Sequence, residues 1–309
     1  MDIVSHGLAG FLVVRAASVP GRSAAAAAGL AGALGPDLDV VARFWDPLAT
    51  ISIHRVPTHS FLGGLVVAVV AGGLIRLIAG GRLWRLAGLA YLGLLSHLLL
   101  DSSTPFGTAL LWPVDSRRWS LGSLHMVDLF VGLILVAGLI PPRWYHRSPA
   151  VVARAAVVAL VAYLLLTVAV MKAVEARWSA VIAGQEESGV RAAVVPAFPG
   201  PFRWVGVAET PQAFQQSQFW VWAVGTSSGS RFAKTIDAPA PAVGDHPAVR
   251  MFLEFARFPW RQTVKDGEDW IVEYRDLAFA DHPFGGPMVL RLRVDAAGAV
   301  RTVKLDHRL

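Results

Sequence analysis

His97 and Asp101 stand four residues apart in the run Tyr91–Pro113, YLGLLSHLLLDSSTPFGTALLWP. On a helix that spacing places imidazole and carboxylate on one face. The run is apolar before His97 and breaks after Asp101 into Ser102, Ser103, Thr104-Pro105 and Gly107, all turn formers. In lipid, a histidine and an acid at the end of an apolar helix mark a functional site by default. The plainer alternative is a helix end whose polar groups meet headgroup water. Similar groups recur at His6, Asp37, Asp39, His59 and Asp128. Neutral imidazoles with carboxylates suit zinc or another divalent transition ion. The chain has no cysteine, so disulfides are excluded and a metal site must use histidine and carboxylate. Water on such an ion titrates near neutrality and supplies hydroxide for hydrolysis. These seven groups exceed one tetrahedral site with open positions. Two ions would account for them, or one ion with a carboxylate base and partners that orient its ligands. Asp39 and Asp128 are candidate catalytic carboxylates, and either could equally orient a ligating histidine. Arg55, with Thr58, stands where a substrate phosphate could be held by forked hydrogen bonding, or where a lipid headgroup is met. His54 reads as a gate or a surface residue.

The elements that must position these groups follow from composition. Hydrophobic residues make up 54% of the chain and charged residues only 16%, against about 25% charged in ordinary soluble proteins. Apolar runs fill the chain as far as Met171, and charges with short Trp/Phe-rich segments fill the rest. This predicts an α-helical membrane domain of about six helices over residues 1–172, then a mostly β (α+β) water-exposed domain over 173–309. The net charge of +6 comes mainly from arginines near helix ends, and no basic run with interleaved aromatics appears. Membrane lipids are therefore expected partners and nucleic acid is not. Asp2 and His6 are unlike a signal peptide, so the N-terminal segment is expected to be retained.

The expected helices are Ile3–Ala17 and Ser23–Leu34, with a turn at Pro20-Gly21, then Phe61–Ala79, Trp84–Leu100, Met126–Ile140 ended by Pro141-Pro142, and Ala150–Met171. The first two are shorter than the roughly 20 residues that span a bilayer, and read as a tilted hairpin or partly re-entrant. Counting six crossings puts every candidate site residue on one side of the membrane. Arg15, Arg22, Arg76, Arg82, Arg85, Arg143, Arg147 and Arg154 fall on the other side, against Arg43, Arg55, Arg117 and Arg118 beside the cluster. Positive loops stay cytoplasmic, so the site and the C-terminal domain are expected to face outward, toward the periplasm of a Gram-negative bacterium.

In the C-terminal part, alternation and aromatic content predict strands at Arg203–Glu209, Gln218–Val224 and Trp270–Phe279. A hairpin of Met288–Val294 with Ala299–Leu305 turns about 295–298, and Pro247–Phe258 reads as a helix. His246, His282 and His307 read as surface residues, and Trp204, Trp220, Trp222, Trp260 and Trp270 as core.

His6 in SHGLAG, GPDLD at 35–39, HRVPTHS at 54–60, SHLLLDSSTPFGTALLWP at 96–113 and the following Asp128 together resemble the YdjM/DUF457 family of bacterial membrane proteins. The resemblance covers residues 1–170 or so and implies an inner-membrane protein with metal-dependent hydrolase activity. A more distant similarity is to zinc-dependent phospholipase C and P1-type nucleases, which order an early His, a Pro-Asp acid, a later His and a His-x-x-x-Asp pair along the chain. His6, Asp37, His59, His97 and Asp101 fit that order and form the implied metal set. The His-x-x-x-Glu pair of those enzymes is missing: His125 is followed by Asp128 at three and His146 by Ala150 at four. One or two ions are therefore expected rather than three. The leading expectation is a hydrolase of an ester or phosphoester, with phospholipid or a lipid-linked phosphate as substrate. A divalent-metal carrier or sensor, and a scaffold with a structural polar cluster, are the alternatives.

Overall fold

The computed structural model describes residues 1–17, 22–46, 48–140, 148–184, 191–226, 229–234, 243–279 and 288–306. The expected turn at Pro20-Gly21, the stop at Pro141-Pro142, Arg143, His146, Arg147, His282 and His307 lie outside them.

The chain divides into two compact units, Met1–Ala42 with Ile53–Val170, and Arg43–Ser52 with Met171–Leu309. In the first, α1 (Ile3–Ala16) starts where the Asp2 carboxylate accepts from Ser5 N at 2.9 Å, a side-chain N-cap. Helix α2 (Arg22–Leu34) runs into a 3-10 turn over Pro36–Phe44, and the short α3 (Ala49–Ser52) belongs to the second unit. Helix α4 (Phe61–Ala79) is capped by Ser60, whose hydroxyl accepts from Gly63 N at 2.9 Å. Helices α5 (Leu83–Ser103), α6 (Leu129–Ala137) and α7 (Pro149–Ala183) complete the helical part.

Small residues bring the helix axes together. A Cβ on Gly93 of α5 would sit 2.1 Å from Gly29 O of α2, and one on Gly32 would sit 1.9 Å from Ala90 O. Neither site admits any side chain, the close packing that membrane helices use in place of a hydrophobic driving force. Ala25, Ala28, Ala68, Ala71 and Ala90 are buried in the resulting seam, while Leu62, Val66, Val70, Leu77 and Ile78 of α4 stay exposed.

The six expected crossings are not all matched by helices of spanning length. Among the described residues three helices are long and apolar enough to cross a membrane, Phe61–Ala79, Leu83–Ser103 and Pro149–Ala183, or four if Ser23–Leu34 and Pro36–Phe44, bent by 46°, form one span. Helix α1 has 14 residues and α6 has 9, about 21 Å and 14 Å at 1.5 Å per residue, against a core about 30 Å thick. The expected helix Met126–Ile140 starts late because Asp128 accepts from Phe130 N and Val131 N at 2.9 and 3.0 Å and fixes the first turn there.

The second unit holds two antiparallel meanders. Strands β1 (Arg191–Ala197), β2 (Arg203–Glu209), β3 (Ala213–Trp220) and β4 (Ser230–Ala233) pair in chain order, as do β5 (Pro259–Asp266), β6 (Asp269–Asp276), β7 (Val289–Val294) and β8 (Val300–Asp306). Helix α8 (Pro247–Phe255) lies between them in sequence, with His246 as its N-cap. Trp204, Phe252, Phe258, Leu290 and Leu292 are fully buried. The Asp276 carboxylate, also buried, accepts from the backbone N–H groups of Arg257, Phe258 and Ala278 at 2.8, 3.0 and 3.0 Å. Two expectations are corrected here. The strand expected at Gln218–Val224 is Ala213–Trp220, because the chain turns away after Trp220. Trp220 and Trp222, expected in the core, are 41% and 68% exposed and stack on each other with ring centroids 5.1 Å apart.

Candidate metal centre

Helix α5 delivers His97 and Asp101 from its last turns, both fully buried. Asp37 comes from the 3-10 turn, and His59 from the loop just ahead of α4. One atom from each meets in a small space. His59 Nε2 lies 3.3 Å from Asp37 Oδ1 and 3.6 Å from Asp101 Oδ2, and His97 Nε2 lies 3.7 and 3.3 Å from the same two oxygens. Ligands at about 2.0–2.1 Å around a tetrahedral zinc stand roughly 3.3–3.4 Å apart. These four separations have that scale.

Two buried atoms of the set, His97 Nε2 and Asp101 Oδ2, have no hydrogen-bond partner. Leaving such groups unpaired costs about 1–3 kcal/mol each, and a cation would satisfy both. The donor chemistry, two imidazoles and two carboxylates, fits a divalent transition ion.

The histidines are held in the tautomer a ligand needs. His97 Nδ1–H donates to Ala33 O at 2.7 Å, which leaves Nε2 as the lone-pair nitrogen. Behind His59, Thr58 Oγ1 lies 2.9 Å from Nδ1 and donates to Asp39 Oδ2 at 2.6 Å. Asp39 Oδ2 is itself 3.3 Å from His59 Nδ1, and Asp39 Oδ1 accepts from His54 Nδ1 at 2.7 Å. Asp39 thus stands behind His59, the carboxylate–histidine arrangement that orients metal ligands.

These contacts move the titrations of the loop groups. Burial would raise the Asp37 carboxyl, but the hydrogen bond with His59 and the nearby His97 and His6 bring it down to about 2. Burial opposes ionisation of Asp39 too, and its hydrogen bonds with His54 and His59 overcome that and hold it below the usual carboxylate range. For His59, burial is outweighed by Asp37 and Asp39, which raise it.

The other candidates occupy different positions. His6 is fully buried and stacks on His97 with ring centroids 3.7 Å apart. Its Nε2 lies 3.2 Å from Asp101 Oδ1 but is not aligned for a hydrogen bond, so His6 borders the four-atom set and is not one of its members. Arg55 is buried, with Nη2 donating to Asp101 Oδ1 and Nη1 to Thr104 Oγ1, both at 2.9 Å. Its guanidinium is thereby committed to the Asp101 carboxylate. Asp128 does not join the cluster: besides capping α6 it accepts from Tyr163 Oη through both oxygens at 3.0 Å. His54, expected as a gate or surface group, pairs with Asp39.

Arg118 was not among the expected site residues. Its Nη2 donates to His54 O at 3.0 Å, and burial together with the charge of Arg55 brings its pKa down to about 10. The Ala33 carbonyl was equally unforeseen, since nothing in an alanine-rich helix marks one backbone oxygen.

No curated protein and no solved structure matches the chain. The family model described as YdjM inner membrane protein matches residues 1–175, the stretch that carries every group of the cluster. The chain therefore belongs to the YdjM family of inner membrane proteins.

Proposed function

We propose that this protein is a membrane-embedded, metal-dependent hydrolase acting on an ester or phosphoester at the outer face of the inner membrane. The observation that carries the reading is the four-atom set of Asp37, His59, His97 and Asp101, with its four imidazole–carboxylate spacings at 3.3 to 3.7 Å and all atoms within 4.8 Å of one another. A divalent cation there supplies Lewis-acid polarisation and a nucleophile at neutral pH. The chain's own groups supply the rest: Asp39 and Thr58 orient His59, the Ala33 carbonyl orients His97, and Arg55 holds Asp101 through its other oxygen. Zinc is the ion that this mixed nitrogen and oxygen set favours, with one ion in the four-atom set. A carrier would need ligands near the membrane midplane, open to each side in turn. Here Asp37 and His59 come from segments outside the long apolar helices and Asp101 from the last turn of α5, which favours chemistry at one face. The test is metal content of the detergent-purified chain together with turnover of a panel of phospholipids and phosphodiesters. Bound metal with turnover supports the proposal. A metal-loaded protein inert on every ester moves the reading to a carrier or sensor.

A further inference from the structure

The second unit contains the point where α7 leaves the lipid. That helix carries no charge from Ala155 to Met171, and Lys172 is the first charged residue after the run. Beyond it the helix is fastened to the first sheet. Trp178 is buried, with its ring centroid 5.4 Å from that of Phe219 and its Nε1–H donating to Val207 O at 3.4 Å. A Cβ on Gly206 would sit 2.6 Å from the Trp178 ring, so β2 lies directly on the indole. The chain after β3 then follows the helix outward. Arg177 Nη1 donates to Val221 O at 3.2 Å, and a Cβ on Gly225 would sit 2.8 Å from Val181 Cγ2. Residues 221–225 therefore run along α7 with the Val221 end nearer to Met171.

That end carries the exposed aromatics. Phe202 is exposed and its ring centroid lies 6.4 Å from that of Trp222, which stacks on Trp220. Val221 N donates to Phe202 O at 2.8 Å, and Arg203 pairs with Trp220 in the sheet register, so the three rings share one edge. A contiguous apolar patch of this kind marks an interaction surface. Its height on α7 says which. Arg177 stands about 9 Å past Met171 at 1.5 Å per residue, and helix side chains lean toward the N-terminus, here toward the bilayer. The headgroup layer is roughly 5–8 Å deep on each side of the hydrocarbon core. The rings thus stand at the level where tryptophan concentrates in membrane proteins, with its amphipathic ring among the headgroups. The face of a sugar is the other surface that stacked indoles fit, but it sets no particular height on α7.

We propose that the edge formed by Phe202, Trp220 and Trp222 is a membrane-interface anchor, seated among lipid headgroups beside the point where α7 leaves the bilayer. It gives the β-rich unit a second hold on the membrane besides its helix.

The test uses the full chain in phosphatidylcholine nanodiscs. Because the chain has no cysteine, Ala223→Cys gives a single site for a polarity-sensitive fluorophore beside the intact rings. Lipids spin-labelled on the headgroup should quench that label, and more strongly than lipids spin-labelled deep in the acyl chain. The same label in the Phe202→Ser/Trp222→Ser background should lose this quenching and become open to aqueous iodide. If labelled Ala223→Cys is not recovered folded, Trp222→Cys carries the label for the same depth readings. A label in the intact chain that iodide reaches and headgroup spin labels leave bright overturns the proposal. Equal lipid quenching in the serine variant overturns it as well, because the rings would then not be what holds the edge. An iodide-open label that responds to soluble N-acetylglucosamine oligomers assigns the rings to a glycan, and equally overturns it.

Discussion

Arg55 donates to Asp101 Oδ1 at 2.9 Å and leaves Asp101 Oδ2 turned toward His97 and His59, at 3.3 and 3.6 Å. The two oxygens of one carboxylate therefore have separate tasks: Oδ1 is anchored to Arg55 and the Met1 amino group, and Oδ2 is presented to His97 and His59.

That division predicts different outcomes for two substitutions. Asp101→Asn removes the charge that offsets a divalent ion and should lower metal affinity by more than the ten- to hundredfold typical of changes to orienting partners. Arg55→Ala should lower metal affinity within that range, by loosening the Asp101 carboxylate, and should reduce folding stability by less than the roughly 3 kcal/mol of an unpaired buried charge, because the Met1 amino group still contacts Asp101 Oδ1. Metal per chain and thermal unfolding, measured on both variants, check this. Full metal occupancy in Asp101→Asn would remove Asp101 from the ligand set.

The raised titration of His59 gives a pH dependence with a definite sign. Asp37 and Asp39 favour its imidazolium, so the stability it contributes without metal is present below the unfolded histidine value and is lost as pH rises through the folded one. A metal must displace that proton. Metal affinity should therefore rise with pH above the ordinary histidine range, with net proton release on binding. Calorimetry at one pH in two buffers of different ionisation enthalpy reads the release directly. Proton uptake, or none, would contradict the arrangement.

Topology gives a third prediction. Arg76, Arg82 and Arg85 crowd the α4–α5 connection, the end of α5 opposite Asp101. With positive loops retained in the cytoplasm, a phosphatase inserted at Gly80 in that connection should be inactive and a fluorescent protein inserted there bright. The reverse pattern would place the cluster at the cytoplasmic face.

In the second unit, Asp276 accepts three backbone N–H groups in a buried position, and burial raises its pKa in spite of them. Its stabilising share is thus fully present below the unfolded carboxylate value and declines as pH rises through the folded one. A neutral amide should be tolerated better than truncation. Asp276→Asn should cost about 1 kcal/mol, and Asp276→Ala roughly 2–4 kcal/mol because it orphans buried donors. Chemical denaturation of the full chain, followed by tryptophan fluorescence, checks the order.

The bounds of α4 were legible because a cap, Ser60, and a stop, Gly80, bracket one unbroken apolar run. The meeting of His97 and Asp101 was legible from their four-residue spacing. The role of Asp128 was not: an acid ahead of LFVGLILVA is either a ligand or a cap, and only the position of Tyr163, thirty-five residues on, decides for the cap. The frame of β3 was obscured by the aromatic run Phe219-Trp220-Val221-Trp222, which alternates like a strand beyond the point where the strand ends. Arg118 lacked any signal of its own, since its place depends on a bridge between Thr108 and Trp119 within its loop.

The glycine contacts of α2 and α5 bear on the kinetics of ion exchange. With Gly93 set against Gly29 O and Gly32 against Ala90 O, no compressible layer of side chains separates these two backbones. Parting them would break backbone contact along the whole seam, so an ion does not leave the cluster by the helices spreading. Release of an ion held there would instead run through two loops braced on each other, 53–60 and 104–120, and would require their hydrogen bonds to open.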